Sequence, residues 1–278
     1  MKYEDRVVAF IDILAFAHLL NKTKIDNDQN NLADNEEFIS QLYHAFERIR
    51  ELIGVDEQVE GVAESRQVTQ FSDSIVISFD LRDEPIEFKY MLGELLHLTT
   101  ELLKSGILIR GGISYGSLIH TDKILFGPAM VHAYMVESQA AISPRIILPK
   151  SLYDKDSEFR SLLDYEDKTG MDLNDLLTRD EDDFFYLDYF DNCHKPVLKI
   201  FANDEEYIEH MRLLKKVIIN GLKTTDPGIY SKYGWMKTKW NRAIKDNKGS
   251  EKQVDLIAEG RKNLSAYFMN EELIETAM

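Results

Sequence analysis

Hydrophobic positions along this chain switch between a two-residue and a 3.6-residue rhythm, and the switches mark out its elements. Residues 6–12 (Arg-Val-Val-Ala-Phe-Ile-Asp) form an apolar run of strand length, predicting a buried strand that passes into a helix from about Ile13 to Leu20. Residues 23–36 are polar and predict a loop that buries almost nothing. Helical spacing resumes over 37–52, with Phe38, Leu42, Phe46, Ile49 and Leu52 on one side. After a loop over 54–65, the β-branched stretches 67–71 and 74–79 predict two strands joined by a tight Ser72-Asp73 hairpin. Pro85 opens a helix over 86–104 that ends at Ser105-Gly106. A strand over 107–114 follows, then a short one over 117–120, a helix over 127–140 starting at Gly127-Pro128, and a strand over 144–148.

The first 150 residues thus alternate as an α+β chain, and the order predicts a ferredoxin-like βαββαβ sandwich. Residues 151–183 predict short helices and acidic loop, with Asp180-Glu181-Asp182-Asp183 as a solvated turn. A hairpin over 184–189 and 197–200 is expected to extend the sheet. From about Asp204 the pattern is helical in three segments. The expected division is a domain over 1–202 followed by a C-terminal helical extension over 203–278.

Composition narrows the function classes. A formal net charge of −16 opposes extended contact with nucleic acid, whose affinity comes largely from basic groups on phosphates. No apolar run reaches the roughly 18 residues of a membrane span, so no membrane partner is expected. The N-terminus lacks the shape of a signal peptide, and Cys193 is the single cysteine, so the reading is cytoplasmic. The histidines show no His-x-x-x-His spacing that would suggest zinc.

Chemistry is concentrated in two acids. Asp12 ends the first apolar strand, and Asp73 sits in the hairpin turn. Alone, each reads as a cap or a turn residue. Together they could set oxygen ligands side by side at one sheet edge, the hard donors wanted by Mg²⁺ or Mn²⁺ holding a triphosphate. Period-two alternation puts Thr69 and Phe71 on the face of Asp73. The turn after the first strand is expected to offer the N–H groups of residues 13–16 to phosphates.

Three segments carry a resemblance: Phe10-Ile11-Asp12-Ile13-Leu14-Ala15-Phe16; Phe71-Ser72-Asp73-Ser74; and Ile109-Arg110-Gly111-Gly112-Ile113-Ser114-Tyr115-Gly116 followed by Phe126-Gly127-Pro128-Ala129. In order and spacing, over residues 6–150, they resemble the class III nucleotidyl cyclase catalytic domain. Gly127-Pro128-Ala129, Ala133-Tyr134, Glu137, Pro144-Arg145-Ile146-Ile147 and Lys232-Tyr233-Gly234-Trp235-Met236 make the chain most similar to the Pycsar pyrimidine cyclases of bacterial antiphage defence.

The resemblance implies two Mn²⁺ or Mg²⁺ ions held by Asp12, Asp73 and the Ile13 carbonyl, with Asp12 and Asp73 as catalytic residues. It implies conversion of UTP or CTP to cyclic UMP or cyclic CMP plus pyrophosphate, in a homodimer with a composite active site. The product would act on a separate cyclic-nucleotide-binding effector. Thr69, four residues before Asp73, stands where the family reads the base; a threonine there disfavours purines and leaves uracil and cytosine open. Phe16, Tyr134 and Arg110 are further substrate-binding candidates, with Arg145 and Lys150 nearby. One departure stands out: Val131 and Met135 occupy the positions of the family's Asn and Arg on the helix after Gly127. The alternative is therefore a degenerate domain that binds nucleotide or a partner without turnover.

Overall fold

The computed structural model describes residues 2–27, 31–54, 65–82, 85–154, 157, 159 and 172–275. The loop expected over 54–65 and the acidic stretch before 172 lie largely outside the described residues. The chain divides into two compact units, one of Met1–Asp167 with Arg179–Tyr186, the other of Lys168–Thr178 with Leu187–Met278.

In the first unit the strands are β1 (Glu4–Ile13), β2 (Lys24–Asn27), β3 (Asn31–Asp34), β4 (Gln67–Phe71), β5 (Ser74–Phe79), β6 (Ile109–His120), β7 (Leu125–Phe126) and β8 (Ile146–Leu148). The helices are α1 (Phe16–Asn21), α2 (Glu36–Ile53), α3 (Glu87–Lys104) and α4 (Pro128–Met135), the last running on as a π-helical turn, Val136–Ala140. With β9 (Leu177–Arg179) and β10 (Phe185–Leu187), a mixed sheet runs β4-β5-β1-β6-β8-β10-β9, and β7 pairs with β6. The fold is α+β. The β1-α2-β4-β5-α3-β6 stretch has its strands antiparallel in the order β4-β5-β1-β6, and β8 joins β6 in parallel.

Register divides this sheet into two faces. Val7, Ala9, Ile11 and Ile13 of β1 lie beside Ile75, Ile77 and Phe79 of β5 and Ile109 and Ile113 of β6, all buried. The buried stripes of α2 (Leu42, Ala45, Ile49, Ile53) and α3 (Phe88, Met91, Leu92, Leu95, Leu96) close that face, and Arg50 of α2 donates to Gln70 of β4. On the other face, Val8, Phe10, Val76 and Leu118 pack against Ala129 and Ala133 of α4. Gly112 permits that approach: a Cβ there would lie 2.4 Å from the Ala133 carbonyl oxygen and 2.6 Å from the Glu137 nitrogen.

Several expectations change. Residues 24–34 are not loop at their ends: β2 and β3 pair antiparallel, with Lys24 and Asp34 bridged at 2.5 Å. Such a ribbon is held by backbone bonds and cross-strand charge, so hydrophobic patterning gives no sign of it. β1 runs through Ile13, and the helix after it begins only at Phe16, beyond a turn in which Ala15 has φ 59°. The two strands expected over 107–120 are one: β6 pairs with β1 without a break through Gly116, whose φ of 148° a glycine accommodates. The sheet is extended by β10 alone of the expected 184–200 hairpin; Pro196–Leu198 is a 3-10 turn, since Pro196 has no N–H to offer a ladder and Lys199 has φ 52°. Asp180 is buried against Arg145 instead of lying in a solvated turn.

Among the described residues of the second unit are four longer helices, Asp204–Gly221, Pro227–Asn247, Ser250–Ala258 and Lys262–Asn270, one more than the three segments expected. Trp240 is fully buried, and its Nε1–H donates to the Met211 carbonyl at 3.2 Å. Among the described residues no helix is long and apolar enough to cross a membrane.

Candidate functional site

Asp12 and Asp73 meet because the backbone joins the places that carry them. Ser72-Asp73 is the two-residue turn between Phe71 and Ser74, with Ser72 at φ 53°. The Ile13 N–H donates to the Asp73 carbonyl at 3.3 Å, which fastens the hairpin tip to the last residue of β1. Asp12 is in register with Ser74 on one side and Arg110 on the other. Its Oδ1 accepts from the Ser74 hydroxyl at 3.3 Å, and its Oδ2 from Arg110 Nη2 at 3.3 Å.

The charge at this edge is unbalanced. Arg110 Nε lies 2.7 Å from Glu137 Oε1, so one guanidinium is divided between Asp12 and Glu137 while Asp73 stands beside them. Burial first, then the neighbouring Asp73, hold the Asp12 carboxyl above its ordinary range, and Arg110 offsets only part of this. Glu137 is pushed up to about 7, mainly by burial. Its ion pair with Arg110 acts in the opposite direction and loses, because that arginine also serves Asp12 and because Asp12 and Asp73 both add negative charge. A cation between Asp12 and Asp73 would relieve the repulsion, so the donor set fits a hard divalent ion. Among the described residues no group of three or more His, Cys, Asp or Glu side chains is gathered for a metal. The candidate is a carboxylate pair, to which a backbone carbonyl such as that of Ile13 would add.

The other candidates are spread around this edge. Thr69 is half-buried on β4, in register with Val76, and its Oγ1 lies 2.9 Å from His120 Nε2. Tyr134 is exposed on α4, its ring edge-on to Phe10 at 5.5 Å between centroids. Phe16 packs edge-on against Phe46 of α2 at 5.9 Å, anchoring the start of α1. Arg145 is buried and bonded to Asp180 and Asp182, which removes it from the edge chemistry. Lys150 is exposed. The expected row of free N–H groups over 13–16 is shortened, since Ile13 donates to Asp73 and Leu14 donates to the Leu108 carbonyl at 2.8 Å.

Two participants carried no role in the sequence reading. Glu137 entered only among the residues of the resemblance, without a chemical role, although an acid directly after the largely apolar stretch Val131–Val136 is a local signal. His120 had no comparable signal, because its partners Thr69 and Ser78 are 51 and 42 residues away. No protein-family model matches the chain, and a search of curated proteins finds no significant match.

Proposed function

We propose that the chain is a metal-dependent nucleotidyl cyclase that converts a pyrimidine nucleoside triphosphate to its 3′,5′-cyclic monophosphate and pyrophosphate. The observation that carries this reading is the meeting of Asp12 and Asp73 at one sheet edge, with too little positive charge beside them. Asp12, Asp73 and the Ile13 carbonyl would hold Mg²⁺ or Mn²⁺. When bound, such ions supply charge neutralisation on the triphosphate and acidify the ribose 3′-hydroxyl.

In the reaction the 3′-oxygen bonds to the α-phosphorus, its proton passes to solvent, and the bond to the bridging oxygen breaks to release pyrophosphate. Ser74 and Arg110 orient Asp12 through the bonds described above, and Glu137 restrains Arg110. Arg110 would also offer the phosphates a positive charge held beside Asp12, in place of the Asn and Arg that the resemblance would put at Val131 and Met135. Thr69 faces the base. The order β4-β5-β1-β6, with a helix–turn over β6, supports the ferredoxin-like, cyclase-type reading of the fold.

A homodimer is supported by apolar side chains left uncovered on α4: Val131, Tyr134 and Met135 are 58%, 51% and 43% exposed. A second copy packed there would cover them and bring its own α4 to the carboxylate edge. A second reading, nucleotide binding without turnover, draws on the same helix, because neither Val131 nor Met135 can donate a hydrogen bond to a developing negative charge.

The deciding experiment incubates the protein with Mn²⁺ and, separately, ATP, GTP, CTP and UTP, and resolves products by mass spectrometry. A cyclic pyrimidine nucleotide that disappears in Asp73→Ala supports the cyclase. Metal-dependent nucleotide binding with no cyclic product supports the second reading.

A further inference from the structure

A chain of hydrogen bonds behind Thr69 has a fixed direction, and that direction bears on the base. It starts at Arg6, which is 3% exposed and whose Nε donates to Ser78 Oγ at 3.0 Å. A guanidinium can only donate, so the Ser78 oxygen is an acceptor in that bond. Ser78 is fully buried, and the remaining polar atom beside its hydroxyl is His120 Nδ1, at 2.8 Å. If Nδ1 carried the proton, the Ser78 hydrogen would be buried without an acceptor. The Ser78 O–H therefore donates to Nδ1.

His120 is itself 6% exposed, and burial together with Arg6 lowers its pKa to about 4, so the ring is neutral near pH 7. A neutral ring that accepts at Nδ1 carries its hydrogen on Nε2. That hydrogen points to Thr69 Oγ1, 2.9 Å away. Thr69 accepts from within, and its own hydrogen is left to donate outward from a half-buried position.

Thr69 lies two strands from Asp12 and two residues in from the hairpin end, on the same face. Strand spacing and rise put roughly 12 Å between their backbones. For a nucleotide with its phosphates at the carboxylates, the atom that meets Thr69 is the one farthest from the ribose. In a pyrimidine that is the substituent on carbon 4, opposite the glycosidic nitrogen. Uracil has a carbonyl there and accepts; cytosine has an amino group and can only donate.

Resting on the cyclase reading above, we propose that Arg6, Ser78 and His120 set Thr69 as an outward hydrogen-bond donor that selects UTP over CTP. Thr69 is the specificity-determining residue, and the three behind it are positioning residues.

The test uses the full chain with Mn²⁺ and the unreactive α,β-methylene analogues of UTP and CTP, with binding followed by calorimetry. The UTP analogue is expected to bind about tenfold more tightly, the scale of one hydrogen bond against one unpaired buried donor. Thr69→Val should bring the two affinities together, mainly by weakening the UTP analogue, while Thr69→Ser keeps the preference. Nitrogen-15 spectra of the His120 ring should show the hydrogen on Nε2, independently of any ligand. Equal binding unaffected by Thr69→Val, a preference for the CTP analogue, or a hydrogen on Nδ1 overturns the inference and leaves the cyclase reading standing. Binding of neither analogue overturns both.

Discussion

Asp12 and Asp188 are both aspartates that burial pushes upward, yet their surroundings differ in kind. Asp188, in the second unit, is surrounded by fixed donors: the N–H groups of Phe190 and Asp191 reach its Oδ1 at 3.0 and 3.1 Å, and the Thr178 hydroxyl its Oδ2 at 2.8 Å. Its carboxyl ties a bend in the chain, and nothing about it asks for a ligand. Each acid also has a carboxylate neighbour that pushes it further up, Asp191 for Asp188 and Asp73 for Asp12, but Asp12 answers it with only two bonds, both of 3.3 Å. An acid whose like-charged neighbour is answered by several short donor bonds holds structure, whereas one with few and long bonds keeps a repulsion that a bound cation can release.

The sharpest way to break this contrast is to delete an acid from each region. Asp73→Ala should lower cyclic-nucleotide formation by more than ~100-fold, as loss of one of two anionic metal donors would, without lowering the thermal midpoint. Unchanged turnover would remove the carboxylate pair from the chemistry. Next in size is the pH response of Glu137, measured by denaturant unfolding in metal-free buffer. Its folded pKa, about 7, lies above the ordinary 4.5, so between those values the folded state holds a proton that the unfolded state has released. Stability from this group therefore falls as pH rises through that window, by on the order of 3 kcal/mol, and levels off above it. Glu137→Gln should flatten that fall relative to the unaltered protein. His120 and His194, both lowered to about 4, act in the opposite sense but cancel in the comparison. Asp188→Ala should cost about 2 kcal/mol, because the Phe190 and Asp191 N–H groups and the Thr178 hydroxyl lose their acceptor, while Asp188→Asn, which keeps an oxygen, costs less.

How far the sequence alone reaches depends on whether a feature is local. The hairpin 67–71/74–79 was legible to the residue, because β-branched runs and a two-residue turn are local signals. Asp12 and Asp73 were legible as candidates for the same reason, each standing where an apolar run stops. What brings them together, the Ile13 N–H on the Asp73 carbonyl, is a contact across sixty residues of chain and has no local sign. The Arg145–Asp180 pair shows the same limit: an acidic run looks solvated until a buried arginine from another strand is placed against it. The pairing of β2 with β3 is illegible in the sequence for another reason, since a ribbon made by backbone bonds needs no hydrophobic alternation.

The smallest predicted effect is the most discriminating, because its sign opposes the usual consequence of mutation. Asp12→Asn keeps the shape of the side chain and an oxygen for Arg110, and removes one of the charges that face each other. Since the folded pKa of Asp12 is raised, its ionised form costs stability at neutral pH, and the amide should raise unfolding stability in metal-free buffer. The gain should vanish below the ordinary carboxylate range, where the aspartate is protonated in both folded and unfolded states. Adding Mn²⁺ should reverse the ranking: the unaltered protein gains from the ion and the variant, with a poorer ligand, does not. A destabilised Asp12→Asn in metal-free buffer would mean that Arg110 and Ser74 satisfy Asp12 as fully as the fixed donors satisfy Asp188, and the distinction between the two acids would fall.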